Sequence, residues 1–202
     1  MPEPDDTGIA FDERGLVPCV VQDWASGEVL TLAYMNAEAL QKSKDTGELH
    51  LWSRSRDELW HKGATSGNTQ AVRALRYDCD HDAVLALVDP AGPACHTGAR
   101  TCFHNGDPTL TELEALPALE RTIAERAADT SGSYTAKLLA DPAFAGGKVQ
   151  EEAEEVVRAA REESEERVAE EAADVLYHLT VLLRTRGLEL ADAERVLLAR
   201  RR

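Results

Sequence analysis

The chain has 202 residues, room for two small domains, and its 37 acidic against 22 basic side chains leave a net charge of −15. Such a field does not hold DNA or an anionic membrane, so nucleic-acid and membrane partners are excluded and any polyanionic ligand must meet a local basic patch. No apolar run approaches membrane-spanning length, and the start "MPEPDDTG" reads as a short acidic tail rather than a secretory signal. A cytoplasmic setting is expected. Thiols stay reduced there, so the four cysteines read as metal ligands, nucleophiles or core residues rather than disulfides.

From about Ile9 to Val88 short runs alternate apolar and polar residues: "LVPCVVQDW", "EVLTLAYM", "ELHLWSR", "AVRALRYDCD" and "AVLALV". This is strand patterning, interrupted by one helix in "NAEALQKSKDTG", with Asn36 as its cap and Gly47 as its stop. Cys19, in "LVPCVV", is expected in the core, and Trp24, Trp52 and Trp60 in the core or a pocket wall.

The stretch "SRSRDELWHKGATSGN", residues 53–68, gathers Arg54, Arg56, His61 and Lys62 in an otherwise acidic chain. Its tail, Gly63, Thr65, Ser66, Gly67 and Asn68, can turn N–H groups and hydroxyls toward an anion. A phosphate site is one reading, and a solvated hairpin with a polar turn is the other.

In "YDCDHD" an extended strand sets Asp78, Asp80 and Asp82 on one face and Cys79 and His81 on the opposite one. The oxygen face suits a hard ion such as Mg2+, and the thiolate suits Zn2+. In "GPACHTGARTCF", Cys95 and Cys102 bring the available thiols to three, which leaves a zinc ion one open position for water. His96 closing the site is disfavoured, because it directly follows Cys95. Buried or incidental thiols fit the same spacing, and the ligands need not all come from one chain.

"HNGDPTL", with Gly106 and Pro108, separates strand patterning from helical patterning and sets an expected boundary near Asn105, giving domains 1–105 and 106–202. In "KVQEEAEEVVRAA" the apolar stripe is Val149, Ala153, Val156, Val157 and Ala160, and Glu152 and Glu155 flank it beside Lys148. In "RVAEEAADVLYHLTVLL" the stripe runs from Val168 through Leu176 to Leu183, flanked on the same hand by Glu171 and Asp174, with His178 beyond them. A short link makes the helices antiparallel and converges Glu152, Glu155, Glu171 and Asp174 around one or two Mg2+ ions, with Glu151 as an outer member. Simple solvation is the bland alternative for a Glu-rich face.

Taken together, "LWSRSRDELWHKGATSGN", "YDCDHD" and "GPACHTGARTCF" resemble phosphoribosyl-AMP cyclohydrolase of histidine biosynthesis. "GSYTAKLL", "KVQEEAEEVV" and "EEAADVLYHLTVLL" resemble phosphoribosyl-ATP pyrophosphohydrolase, an all-helical relative of the MazG-type pyrophosphohydrolases. Three differences stand out: Ala64 where the family form reads "HKGETSGN", Thr101 in place of a serine, and no basic residue just before Lys148.

The resemblance implies an α+β chain, with a mostly-β cyclohydrolase domain followed by an all-α MazG-like domain. The second domain would cut phosphoribosyl-ATP to phosphoribosyl-AMP and pyrophosphate, and the first would open the adenine ring between N1 and C6. It further implies zinc on Cys79, Cys95 and Cys102, shared across a homodimer, and magnesium on Asp78, Asp80 and Asp82. A second magnesium set is implied on Glu151, Glu152, Glu155, Glu171 and Asp174. His96 is the candidate for proton transfer. Substrate would meet Ser53, Arg54, Ser55, Arg56, His61, Lys62, Thr65, Ser66, Gly67 and Asn68, and in the second domain Lys148.

Overall fold

The computed structural model describes residues 8–107, 110–127 and 132–201, so the acidic tail and Pro108 lie outside the described residues. The chain forms two compact units, Met1–Thr109 and Leu110–Arg202, the first strand-rich and the second helical, an α+β arrangement. Among the described residues no helix is long and apolar enough to cross a membrane.

In the first unit β1 (Val17–Asp23) alternates buried and half-buried residues along its whole length, as its sequence pattern demands. It pairs antiparallel with β2 (Val29–Met35) and parallel with β6 (Val84–Pro90), and β5 (Gln70–Tyr77) closes the sheet order β2-β1-β6-β5. The helix α1 (Ala37–Thr46) begins where the Asn36 side chain accepts the Ala39 N–H at 2.8 Å, and it ends at Gly47, whose φ of 69° only glycine adopts without cost. Leu30, Met35, Leu40, Leu49 and Leu51 are fully buried between helix and sheet, each such side chain contributing about 1.5–3 kcal/mol. Cys19 sits in this core as expected, and burial pushes its thiol up to about 12.

A separate two-stranded hairpin, β3 (His50–Ser53) with β4 (Glu58–His61), contains a strand that the alternating pattern did not reveal. Beyond it, Gly63 has φ +86°, and a Cβ there would come within 2.2 Å of the Asn68 carbonyl group. A Cβ on Gly92 would meet the Asn68 amide oxygen at 2.4 Å, and Ala91 N–H donates to the Thr69 carbonyl at 2.9 Å. Two bare glycines therefore let the 63–68 loop close on itself and lie against the segment that follows β6.

Two expectations are corrected here. The three aspartates are not on a strand: β5 stops at Tyr77, and residues 78–83 form a turn because the Asp78 carboxylate accepts the Ala83 N–H at 3.0 Å. Trp24 is neither core nor pocket wall, being 51% exposed just beyond the end of β1.

The second unit consists of α2 (Glu112–Ala127), α3 (Tyr134–Ala140), α4 (Pro142–Glu162), α5 (Glu165–Thr185) and α6 (Leu190–Ala199). Asp141 caps α4 by accepting the Ala143 and Phe144 N–H groups, both at 3.0 Å, and Ser164 caps α5. Only Glu163 and Ser164 join α4 to α5, which forces an antiparallel pair. The inward face of α4 is not the one its apolar spacing indicates. Ala145, Glu152 and Ala159 are buried while Ala153, Val157 and Ala160 are exposed, because the close approach runs through small alanines. On α5, Glu171, His178, Thr180 and Val181 are buried and Leu176 is exposed.

Replacing Gly63 by Ala is expected to destabilise the first unit by about 1–3 kcal/mol through the forced contact with Asn68. Denaturant unfolding, followed by the tryptophan fluorescence, measures the loss.

Candidate functional site

The turn after β5 brings Asp78, Asp80 and Asp82 together, each exposed and each with an oxygen within 4.8 Å of the others. Slight desolvation pushes Asp78 up, but hydrogen bonds from Ala83 N–H and the neighbouring carboxyls outweigh it and hold Asp78 below the usual carboxylate range. Asp82 takes the opposite shift, raised first by the charge of Asp80. Mutual repulsion of this kind suits a cation. The turn is fixed from behind, with His81 in the left-handed region (φ 64°) donating from Nδ1 to the Gly8 carbonyl at 2.7 Å and accepting the Ala10 N–H at 2.8 Å.

The loop after β6 holds two of the predicted thiols. Cys95 N–H donates to the Ala99 carbonyl at 3.1 Å and Ala94 N–H to the Arg100 carbonyl at 3.0 Å, which folds the loop back so that Cys102 can donate its N–H to Leu30 at 2.8 Å. Arg100 bolts this loop to the sheet: its guanidinium pairs with the buried Asp23 and, at 2.7 Å, with Glu28. The Cys95 thiol lies below its ordinary range, first because the Thr97 hydroxyl donates to it at 3.2 Å, with further help from Cys102 and the charge of His104. Such a pair of soft donors fits zinc. Exposed Cys79, 3.9 Å from an Asp80 carboxylate oxygen, does not join them in a three-ligand group among the described residues.

A cleft of about 290 Å³ sets the tail of the basic stretch against this loop, lined by Lys62, Thr65, Ser66, Asn68, Cys95 and His96, with Trp60 at its side. His96 Nδ1 is 3.9 Å from the Cys95 sulfur. Lys62 is only 6% exposed, and burial holds its ammonium below the usual lysine range against the opposing pull of the Cys102 and Cys95 charges.

The rest of the basic stretch lies apart from this cleft. Ser53, Arg54, Ser55 and Arg56 sit at the far end of the β3–β4 hairpin, where Arg54 stacks 3.8 Å from the Tyr34 ring and Arg56 pairs with Glu58 at 3.1 Å. His61 Nε2 contacts Glu48 at 2.7 Å and its ring stacks on His50. Gly67 donates its N–H to Gly63 and does not line the cleft.

In the helical unit Glu152, Glu171 and Asp174 offer oxygens within 4.8 Å of one another, as the paired flanks of α4 and α5 predict. Glu155 borders Glu171 and leans toward Arg158 at 3.5 Å, while Glu151 is exposed and bonded to Lys148 at 2.8 Å. Lys148 also reaches Glu152 at 2.9 Å, and these two carboxylates raise its ammonium well above the ordinary lysine value. Glu171 is raised, first by burial and then by the charges of Glu155 and Glu152, against the pull of Arg167.

Two residues here were not predicted as site members, His178 and Tyr134. His178 donates from Nδ1 to the Asp174 carbonyl at 2.9 Å, stands 3.8 Å from Glu152, and meets the Tyr134 hydroxyl at 3.2 Å through Nε2. The position of His178 one turn after Asp174 was the available signal, whereas nothing local pointed to Tyr134, 44 residues away.

Comparison with known proteins defines the class, a hydrolase of two catalytic units. The family model of phosphoribosyl-AMP cyclohydrolase matches residues 31–104, and that of phosphoribosyl-ATP pyrophosphohydrolase matches residues 116–201. Among curated relatives, the histidine biosynthesis bifunctional protein HisIE of Bacillus subtilis (strain 168) is 51% identical over 199 residues, covering 94% of this chain and 93% of its own length. Those of Nostoc sp. and Gloeobacter violaceus are 47% and 49% identical, covering 96% and 95% of this chain and 92% and 90% of their own lengths. The chain belongs to this family of bifunctional histidine-biosynthesis enzymes, which join a cyclohydrolase to a pyrophosphohydrolase.

Because Glu171 is raised in the folded state, the folded protein binds its proton more tightly than the unfolded chain does. Without metal, its contribution to stability therefore falls as pH rises from the unfolded carboxylate pKa through the raised folded one. Glu171→Gln is expected to raise the melting temperature of metal-free protein at pH 7 and to shrink the further rise that added Mg2+ brings. Thermal unfolding with and without Mg2+ checks both.

Proposed function

We propose that the helical unit hydrolyses phosphoribosyl-ATP between its α and β phosphates, releasing pyrophosphate. The strand-rich unit then adds water at C6 of phosphoribosyl-AMP and breaks the N1–C6 bond. The two activities correspond to residues 1–105 and 106–202. What carries this reading is the convergence, in each unit, of ligand-type side chains from separate segments: thiols beside a hydroxyl-rich loop in one, carboxylates from two helices in the other.

Cys95 and Cys102 would hold zinc together with Cys79 of the partner subunit in a homodimer, a reading supported by the separation of Cys79 from the other two thiols. Asp78, Asp80 and Asp82 would hold magnesium, as would Glu152, Glu155, Glu171 and Asp174, with Glu151 outside them. When bound, zinc lowers the pKa of water enough to supply a nucleophile near neutral pH, and magnesium neutralises phosphate charge. A reducing cytoplasm keeps the thiols available.

The chain's own residues do the rest. His96, beside Cys95, exchanges a proton with the attacking water. Thr65, Ser66 and Asn68 hold the phosphate nearer the thiols, while Gly67 keeps their loop closed through its N–H bond to Gly63. Ser53, Arg54, Ser55 and Arg56 meet the other phosphate of phosphoribosyl-AMP at the opposite end of the four-residue strands, a reach of about 10 Å. His61, held by Glu48, walls the path between. Lys148 orients Glu152 and faces the triphosphate.

The test feeds phosphoribosyl-ATP with Mg2+ and Zn2+ and follows pyrophosphate and the ring-opened carboxamide separately. Cys95→Ser is expected to keep pyrophosphate release and abolish ring opening. Glu171→Gln should abolish pyrophosphate release yet still open phosphoribosyl-AMP supplied directly. Ring opening that persists in Cys95→Ser, or a preference for ATP over phosphoribosyl-ATP, overturns the assignment.

A further inference from the structure

Lys62 is anomalous for a lysine in this chain. It is 6% exposed, and its ammonium has no ion pair or hydrogen bond among the described residues, although acidic side chains outnumber basic ones 37 to 22. Its nearest neighbours of note are the Trp60 ring, whose centroid is 5.4 Å from the nitrogen, and the thiols of Cys102 and Cys95. A buried cation is costly unless a negative charge meets it. The Lys62 backbone is locked by its N–H bond to Leu49 at 3.0 Å, so the side chain is committed to the cleft that Cys95 and His96 also line.

We propose that Lys62 is a catalytic cation of ring opening, facing the oxygen that bonds to C6, and not one more phosphate ligand of the hydroxyl-rich loop. The proposal rests on the reading of Cys95 and Cys102 as the centre of that reaction. In the addition step the water oxygen forms a bond to C6, a base takes one of its protons, and the C6–N π pair moves onto the amidine nitrogen. When N1–C6 breaks, N1 keeps the bonding pair and takes a proton, the oxygen gives up its second proton as the C6=O bond forms, and the exocyclic nitrogen, protonated where the π pair settled, becomes the carboxamide NH2. Negative charge is borne transiently by the incoming oxygen beside the sulfurs of Cys95 and Cys102. An ammonium already held at the cleft wall offsets that charge with little reorganisation. A phosphate anchor would instead be expected with its charge open to solvent, as Arg54 and Arg56 are at the other end of the hairpin, whereas Lys62 shares the cleft with Thr65 and Ser66 but is nearly closed off.

The experiment compares Lys62→Met, which fills the same buried volume without charge, and Lys62→Arg with the full-length enzyme, supplying phosphoribosyl-AMP directly. For Lys62→Met, kcat is expected to fall about 100- to 1,000-fold. KM should stay within about threefold, zinc content by elemental analysis should match wild type, and Lys62→Arg should recover part of the loss. A KM that rises while kcat holds makes Lys62 a phosphate ligand and overturns the proposal. Loss of zinc from Lys62→Met also overturns it, since the lysine would then only support the thiols. Should circular dichroism show Lys62→Met unfolded, Lys62→Gln carries the same comparison. Failure of the underlying reading looks different: Cys95→Ser would then retain zinc and ring opening whatever Lys62 does.

Discussion

Carboxylates held within 4.8 Å of one another repel, and both units are built around that constraint. The first unit meets it with backbone: one carboxylate of the turn is spent on the Ala83 N–H, and the turn is pinned through His81 to residues 8–10. The second meets it with side chains, Arg167 on Glu171 and Lys148 on Glu152, mounted on two helices too long to splay. In each case the rigid element holds the charges in place ahead of any cation, so binding a metal relieves a repulsion already present.

The two centres divide ligand chemistry cleanly. Three carboxylates form the ligand-type cluster of the helical unit, a donor set that suits a hard ion. Sulfur appears only in the strand-rich unit, where Arg100 fixes the loop between Cys95 and Cys102 through two carboxylates more than seventy residues away. A single chain thereby joins two hydrolase activities of the same biosynthetic pathway.

How much of this could be read from sequence depends on whether the deciding contact is local. Asn36 and Gly47 delimit a helix by interactions within four residues, and the antiparallel α4–α5 pair follows from a two-residue link, so both were legible. Glu152, Glu171 and Asp174 were legible for the same reason. The Asp78–Asp82 turn was not, because alternation cannot distinguish a strand from a turn closed by one side-chain hydrogen bond. Nor was the buried face of α4, since alanine spacing outweighed the valines. The isolation of Lys62 and the contact between Tyr134 and His178 depend on tertiary neighbours that no short window contains.

The stitch between Gly8, Ala10 and His81 bears on how the protein can be handled. Among the described residues, two hydrogen bonds fasten this leading segment to the aspartate turn, and they reach the acidic cluster from outside the sheet. Proteolytic trimming or a fusion junction that intrudes on residues 8–10 would loosen the aspartate turn from a distance, so affinity handles on that side need a spacer ending before Gly8.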